Sequence, residues 1–153
     1  MMARPDLEAS TEPEVAALAR KRRLTYVSWD TGSAGHLATV MFMKTTGLPA
    51  ESGLHVPYPG ATLAAQAVLA SQGDLIFASV PMVVAQGGRL KSIALIHPKR
   101  VEAVPNIPTL PEQGVKVNME WQFWMGMLAP PSTPDAVVDV LQASPSRRWG
   151  PRK

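Results

Sequence analysis

From Leu24 to His97 the chain alternates between strand-like and helix-like stretches, and this order limits its fold more than any single motif does. "LTYVSW" is β-branched and aromatic, the composition of a strand. "HLATVMFMKTTG" places Leu37, Val40, Met41 and Lys44 at helical spacing and ends on Gly47, a helix stop. "LHVPY" is a second short strand, "PG" a turn, and "ATLAAQAVLASQG" an alanine-rich helix closed by Gly73. "DLIFAS" reads as a buried strand, "VPMVVAQGG" as a short helix or turn, and "LKSIALIH" as another strand. Three rounds of alternation predict an α/β fold, a sheet with both faces covered.

The flanks carry weaker signals. Residues 1–10 are polar and unpatterned and are expected to fray. Thr11 with Glu14 makes a capping box for a short helix with Val15, Leu18 and Ala19 as its apolar stripe, ending at Lys21-Arg22-Arg23. After His97, "PKRVEAVPNIPTLPEQG" is proline-rich and reads as a crossing segment. "STPDAVVDVLQ" opens a helix with Ser132 or Thr133 as its cap and Pro134 in the first turn. Pro145 should end it. The expected organisation is an α/β ligand-binding lobe over 11–105, a crossover and fragment of another lobe over 106–145, and disordered tails at 1–10 and 146–153.

Composition then removes function classes. The chain has 153 residues, enough for one ordinary domain, and 46% apolar with 18% charged residues is a globular balance. The net charge of +3 comes from basic residues near the two ends, so no basic, aromatic-interleaved surface for nucleic acid is expected. The absence of cysteine excludes disulfides and thiolate chemistry. His55 and His97 have no clustered Asp, Glu or Cys beside them, so no metal is expected, and without a cofactor loop no cofactor either. His36, at the start of a helix, is read as a structural cap, with pairing to an anion as the alternative. Asp30 and Asp74 are lone carboxylates near turns, with no acid–base role assigned. No enzymatic activity is predicted.

The stretch "SWDTGSAGH" admits two readings. Asp30-Thr31-Gly32-Ser33 is the tetrapeptide of aspartic proteases, which need two such carboxylates on an all-β fold, one from each subunit of a dimer if the chain has a single copy. A helical pattern follows it here, which argues against that reading. The Walker and dinucleotide patterns are also absent. What remains is a glycine-bearing turn from strand to helix, where unpaired N–H groups meet the positive end of a helix dipole and attract an anion. A tight turn that merely needs glycine fits the spacing equally well.

The motifs G-S-A-G-H-L, H-V-P-Y-x-G, Q-G-D-L-x-F, P-x-[IV]-P-T and L-A-P-x-x-T-P follow one another between Glu14 and Leu141. In this combination the chain resembles the Bug (TctC-like) family, the substrate-binding proteins of tripartite tricarboxylate transporters. The resemblance implies a periplasmic-binding-protein-like lobe that binds a small carboxylate or dicarboxylate and passes it to a membrane permease. It also implies ligand contacts from Thr31, Gly32, Ser33, Ala34, Gly35 and His36, with Ala78 and Ser79 as cleft wall.

Against the family pattern the chain is expected to be truncated at both ends, with Ala78 where an Asp is frequent and an arginine- and proline-rich tail, which leaves a non-functional gene fragment as an alternative to a binding protein. The family implies the periplasm. The N-terminus lacks the apolar core of a leader, which leaves the cytoplasm open. "MEWQFWMGML" predicts self-association through residues 119–128.

Overall fold

A computed structural model describes residues 1–116 and 128–149. The chain divides into two units, Met1–Trp121 and Gln122–Lys153. The first is built on a five-stranded sheet of order β3-β2-β4-β1-β5. Its strands are β1 (Met2–Ala3), β2 (Leu24–Ser28), β3 (Gly53–Pro57), β4 (Leu75–Ile76) and β5 (Lys91–Ser92). Its helices are α1 (Glu12–Lys21), α2 (Ala34–Thr45), α3 (Ala61–Leu69) and α4 (Val80–Gln86). β2 pairs in parallel with β3 and with β4, whereas β1 is antiparallel to both β4 and β5. The chain leaves β2 through α2 to reach β3 on one side, then returns through α3 to β4 on the other. The order therefore reverses at β2, and the carboxyl ends of β2 and β4 form a topological switch point, the usual place for a ligand crevice.

Side-chain alternation along the strands makes two cores, one on each face. Ala3, Leu24, Tyr26, Leu75 and Phe77 pack with Val15 and Ala19 of α1 and Phe42 of α2. Met2, Val27 and Ile76 pack with Ala64, Ala65 and Val68 of α3 and Val83 of α4. The covered α/β sheet expected from the alternation is the one observed.

Several local expectations fail, each for a physical reason. Residues 1–10 do not fray: Met2 and Ala3 form a strand inside the sheet, and Leu7 and Ala9 are buried. That strand is only two residues long, and its partners, Leu75–Ile76 and Lys91–Ser92, are far off in sequence. Leu37 and Val40 lie on the exposed side of α2, while Gly35, Thr39 and Phe42 are buried. The helix is apolar nearly all round, so periodicity does not fix its phase. Gly73 does not close α3, which ends at Leu69. It admits Val27 instead, whose Cγ1 would lie 2.5 Å from a Cβ at that position.

Further departures concern the flanks. Thr109, Leu110 and Val115 are buried within the first unit, so a boundary at 105 falls too early. Gln113 ties this segment down, its Nε2 donating to Ile93 O at 2.9 Å and its Oε1 accepting from Glu12 N at 2.6 Å. In the second unit α5 (Asp135–Trp149) starts one residue after Pro134 and runs through Pro145. The proline forfeits the one N–H bond it cannot donate, and the helix continues past it. The segment 119–128, apart from Leu128, lies outside the described residues.

Candidate functional site

β2 ends at Ser28, the chain turns through Trp29–Ser33, and α2 begins at Ala34. Ser33 caps the helix, its Oγ accepting from His36 N at 3.3 Å. Gly32 sits at φ +81°, a conformation that favours glycine. Gly35 is required for a different reason: a Cβ there would stand 2.9 Å from Phe77 O and from Cζ3 of Trp29. That closeness presses the first turn of α2 against the end of β4.

Asp30 is the unusual member, held at φ +121° although it is not glycine. Its Oδ1 accepts from Thr31 N at 2.7 Å, and its carbonyl accepts from Ser28 Oγ at 2.8 Å and Ser33 N at 3.3 Å. Gly32 N donates to Nδ1 of His36 at 3.0 Å. The amides of Thr31, Gly32 and Ser33 are thus occupied within the loop. The N–H groups of Ala34 and Gly35, at the first two positions of α2, have no partner among the described residues.

Ala78 and Ser79 lie at the end of β4, next to β2 in the sheet. Ala78 is half-buried, and Ser79 is exposed at the cap of α4 with no hydrogen bond from its side chain. The eight residues singled out in the sequence therefore fall on two adjacent strand-to-helix turns at the switch point.

Sequence reasoning missed what supports the first of these turns. Tyr26 and His55 are register partners on β2 and β3, and their rings stack at 5.1 Å. His36 stacks on His55 at 4.1 Å. His55 Nε2 is 2.8 Å from Ser28 Oγ, whose own proton goes to Asp30 O, so His55 is the donor in that pair. Burial and the neighbouring His36 push the His55 pKa down, with Asp30 opposing. His36 and His55 are nineteen positions apart, and only a correct strand register would have brought them together.

Asp74, at the other end of β4, belongs to a different kind of site. Its carboxylate accepts from Arg22 at 2.9 and 3.1 Å, from Arg4 Nε at 3.1 Å and from Thr25 N at 2.8 Å. All of these partners come from the framework.

Residues 1–148 match the family model described as the tripartite tricarboxylate transporter family receptor. The chain belongs to this family. A UPF0065 protein of Bordetella pertussis is 29% identical over 148 residues, covering 94% of this chain and 45% of the relative. The periplasmic binding protein BugD is 32% identical with a TM-score of 0.83, covering 94% of this chain and 48% of that one. MatC from Rhodopseudomonas palustris, solved with bound malate, is 24% identical with a TM-score of 0.85, and that match covers 98% of this chain and 51% of MatC. At that identity it speaks for the fold alone. The chain thus spans about half the length of the relatives it matches. The family is one of transport receptors rather than enzymes. A protease reading of Asp30 meets both an α/β fold and a carboxylate engaged by its own loop.

Proposed function

We propose that this chain serves an extracytoplasmic solute-binding receptor of a tripartite tricarboxylate transporter, holding a small carboxylate or dicarboxylate for the membrane permease. The observation that carries the reading is the pair of N–H groups, Ala34 and Gly35, without a partner among the described residues, opening α2 at the switch point. They lie at the positive end of the helix dipole, where a carboxylate is favoured. The hydroxyls of Thr31 and Ser33 flank them, Gly32 and His36 shape the loop, and Ala78 and Ser79 form the adjoining wall. Family membership supports the transport role and a periplasmic location, and malate bound to a protein of the same fold agrees with the ligand class. The chain carries out no catalysis.

Thr31 and Gly32 are exposed, so a carboxylate at this loop keeps water on one side and its hydrogen bonds are correspondingly weak. The expected dissociation constant is on the order of millimolar, about −4 kcal/mol. Titration of 15N-labelled chain with malate, succinate or citrate should move the Ala34 and Gly35 amide signals first. Saturating malate that leaves both signals in place would remove this site.

A further inference from the structure

His36 is already in use inside the loop. Its Nδ1 accepts the Gly32 N–H at 3.0 Å, which requires a lone pair on Nδ1 and places the ring proton of the neutral form on Nε2. Resting on the carboxylate reading above, we infer that His36 is a proton-gated ligand group. Neutral, it latches Gly32; protonated, its Nδ1–H and the Gly32 N–H become two converging donors that one carboxylate oxygen bridges. Ligand capture then takes up one proton.

The donor count drives the gate. A proton on Nδ1 leaves two N–H groups facing each other with no acceptor between them. Their repulsion opens the 3.0 Å contact, and an anion admitted between them restores both bonds and meets the imidazolium charge as well. The surroundings confine the proton to His36. His55 lies face to face with it at 4.1 Å, so a second imidazolium beside the first would be repelled. Of the two rings, His55 resists protonation, because burial and the His36 charge both disfavour its cationic form against the pull of Asp30. Among the described residues, the groups that face the ring pair are Tyr26 and Ser28 from β2 and Asp30 from the loop. Tyr26 stays neutral, since burial pushes its phenol up. Asp30 is the fixed negative charge that an entering carboxylate must face.

The test uses the full chain and malate, from about pH 6 to about pH 7.5, a range in which histidine changes charge. Long-range 15N–1H correlation should show Nδ1 of His36 unprotonated at the upper end, and the Gly32 amide shift should follow the titration of that ring. Malate affinity should rise as pH falls, by up to about tenfold per pH unit for one linked proton. Calorimetry in two buffers of different ionisation heat should show uptake of about one proton. His36→Asn retains an acceptor for Gly32 but cannot take the proton. It should abolish the uptake and leave the Gly32 amide without a titration. A proton on Nδ1 at the upper end, or a Gly32 amide indifferent to the ring's titration, would overturn the gate, and both are read on the unsubstituted chain. Equal proton uptake in His36→Asn would overturn it too. If malate moved no amide at all, the receptor reading would fall, and the Gly32 titration would still decide the latch.

Discussion

The two ends of the parallel strands use aspartate in opposite ways. At the amino end Asp74 is buried and accepts hydrogen bonds from Arg22, Arg4 and the Thr25 amide, joining β1, the start of β2 and β4. At the carboxyl end Asp30 is exposed, bonds through its carboxylate, among the described residues, only to the amide of the next residue, and occupies a backbone conformation suited to glycine. A carboxylate surrounded by framework donors holds the fold together. One that is left strained, exposed and half-used beside unpartnered amides suits a ligand site. The same residue type therefore separates the stabilising end of the sheet from the proposed binding end.

The largest effect should come from removing Asp74. Asp74→Ala removes the Nε partner of Arg4, whose side chain is 23% exposed and keeps only Asp6 at 2.8 Å among the described residues, and leaves the Thr25 amide without its acceptor. Breaking such a pair costs about 3 kcal/mol, with Arg22 recovering part of its solvation because its side chain is 41% exposed. Urea denaturation would measure the loss, and a change under about 1 kcal/mol would mean that solvent replaces the cluster. Acid should act on the same group. Burial alone would raise the Asp74 pKa, but the Arg22 hydrogen bond, the Thr25 amide and the charges of Arg22 and Arg4 together hold it below the ordinary 3.8. Its folded-state pKa is depressed, so its contribution is fully present above that ordinary value and is lost as pH falls through the lower folded one. The denaturation midpoint of Asp74→Ala should accordingly be less sensitive to acid below about pH 4 than that of the unsubstituted chain.

The proposed binding end was more legible in the sequence than the stabilising end. A strand, a glycine-bearing turn and a helix are consecutive in the chain, so Thr31–His36 could be placed at a helix N-terminus from local patterns alone. The Asp74 cluster could not, because Arg4 and Arg22 lie 70 and 52 positions from it and only the sheet order joins them. β1 was unreadable for the same reason. The phase of α2 failed differently: Leu37, Val40 and Met41 suit a core as well as Phe42 and Met43 do, and only the position of β2 decides between them. The state of the loop amides was also hidden. Spacing says that N–H groups exist there, while geometry says that Thr31, Gly32 and Ser33 have already used theirs.

Gly35→Ala should come next in size and should damage the binding end through packing. The new Cβ would meet the Phe77 carbonyl oxygen, which the backbone of the β4 end cannot readily withdraw, as well as the Trp29 ring. Overpacking of this kind costs about 2 kcal/mol. It should also shift the first turn of α2 and weaken malate binding, read as a higher dissociation constant in the same amide titration. Full affinity in a destabilised Gly35→Ala would separate the packing of this turn from its role with ligand, and Ala34 would then carry the contact alone.

The smallest effect should have the opposite sign. Asp30→Gly removes a side chain from φ +121°, where holding a non-glycine residue costs about 1–3 kcal/mol. Glycine gives back part of this through the greater freedom of the unfolded chain, about 0.5–1 kcal/mol. The Thr31 amide, on an exposed residue, can turn to water when it loses Oδ1, so that bond adds little to the balance. The net expectation is a gain of about 0.5–1 kcal/mol, visible as a higher urea midpoint with an unchanged slope. Removing the charge should also tighten malate binding severalfold at low salt, and added salt should erase much of that difference because the site is open to solvent. Asp74→Ala should show no such salt-dependent gain. If Asp30→Gly instead lost stability, the carboxylate would be holding the loop as Asp74 holds the framework, and the contrast between the two ends would collapse. If it gained stability but lost malate affinity, the strain would be real, and Asp30 would be serving the ligand rather than opposing it.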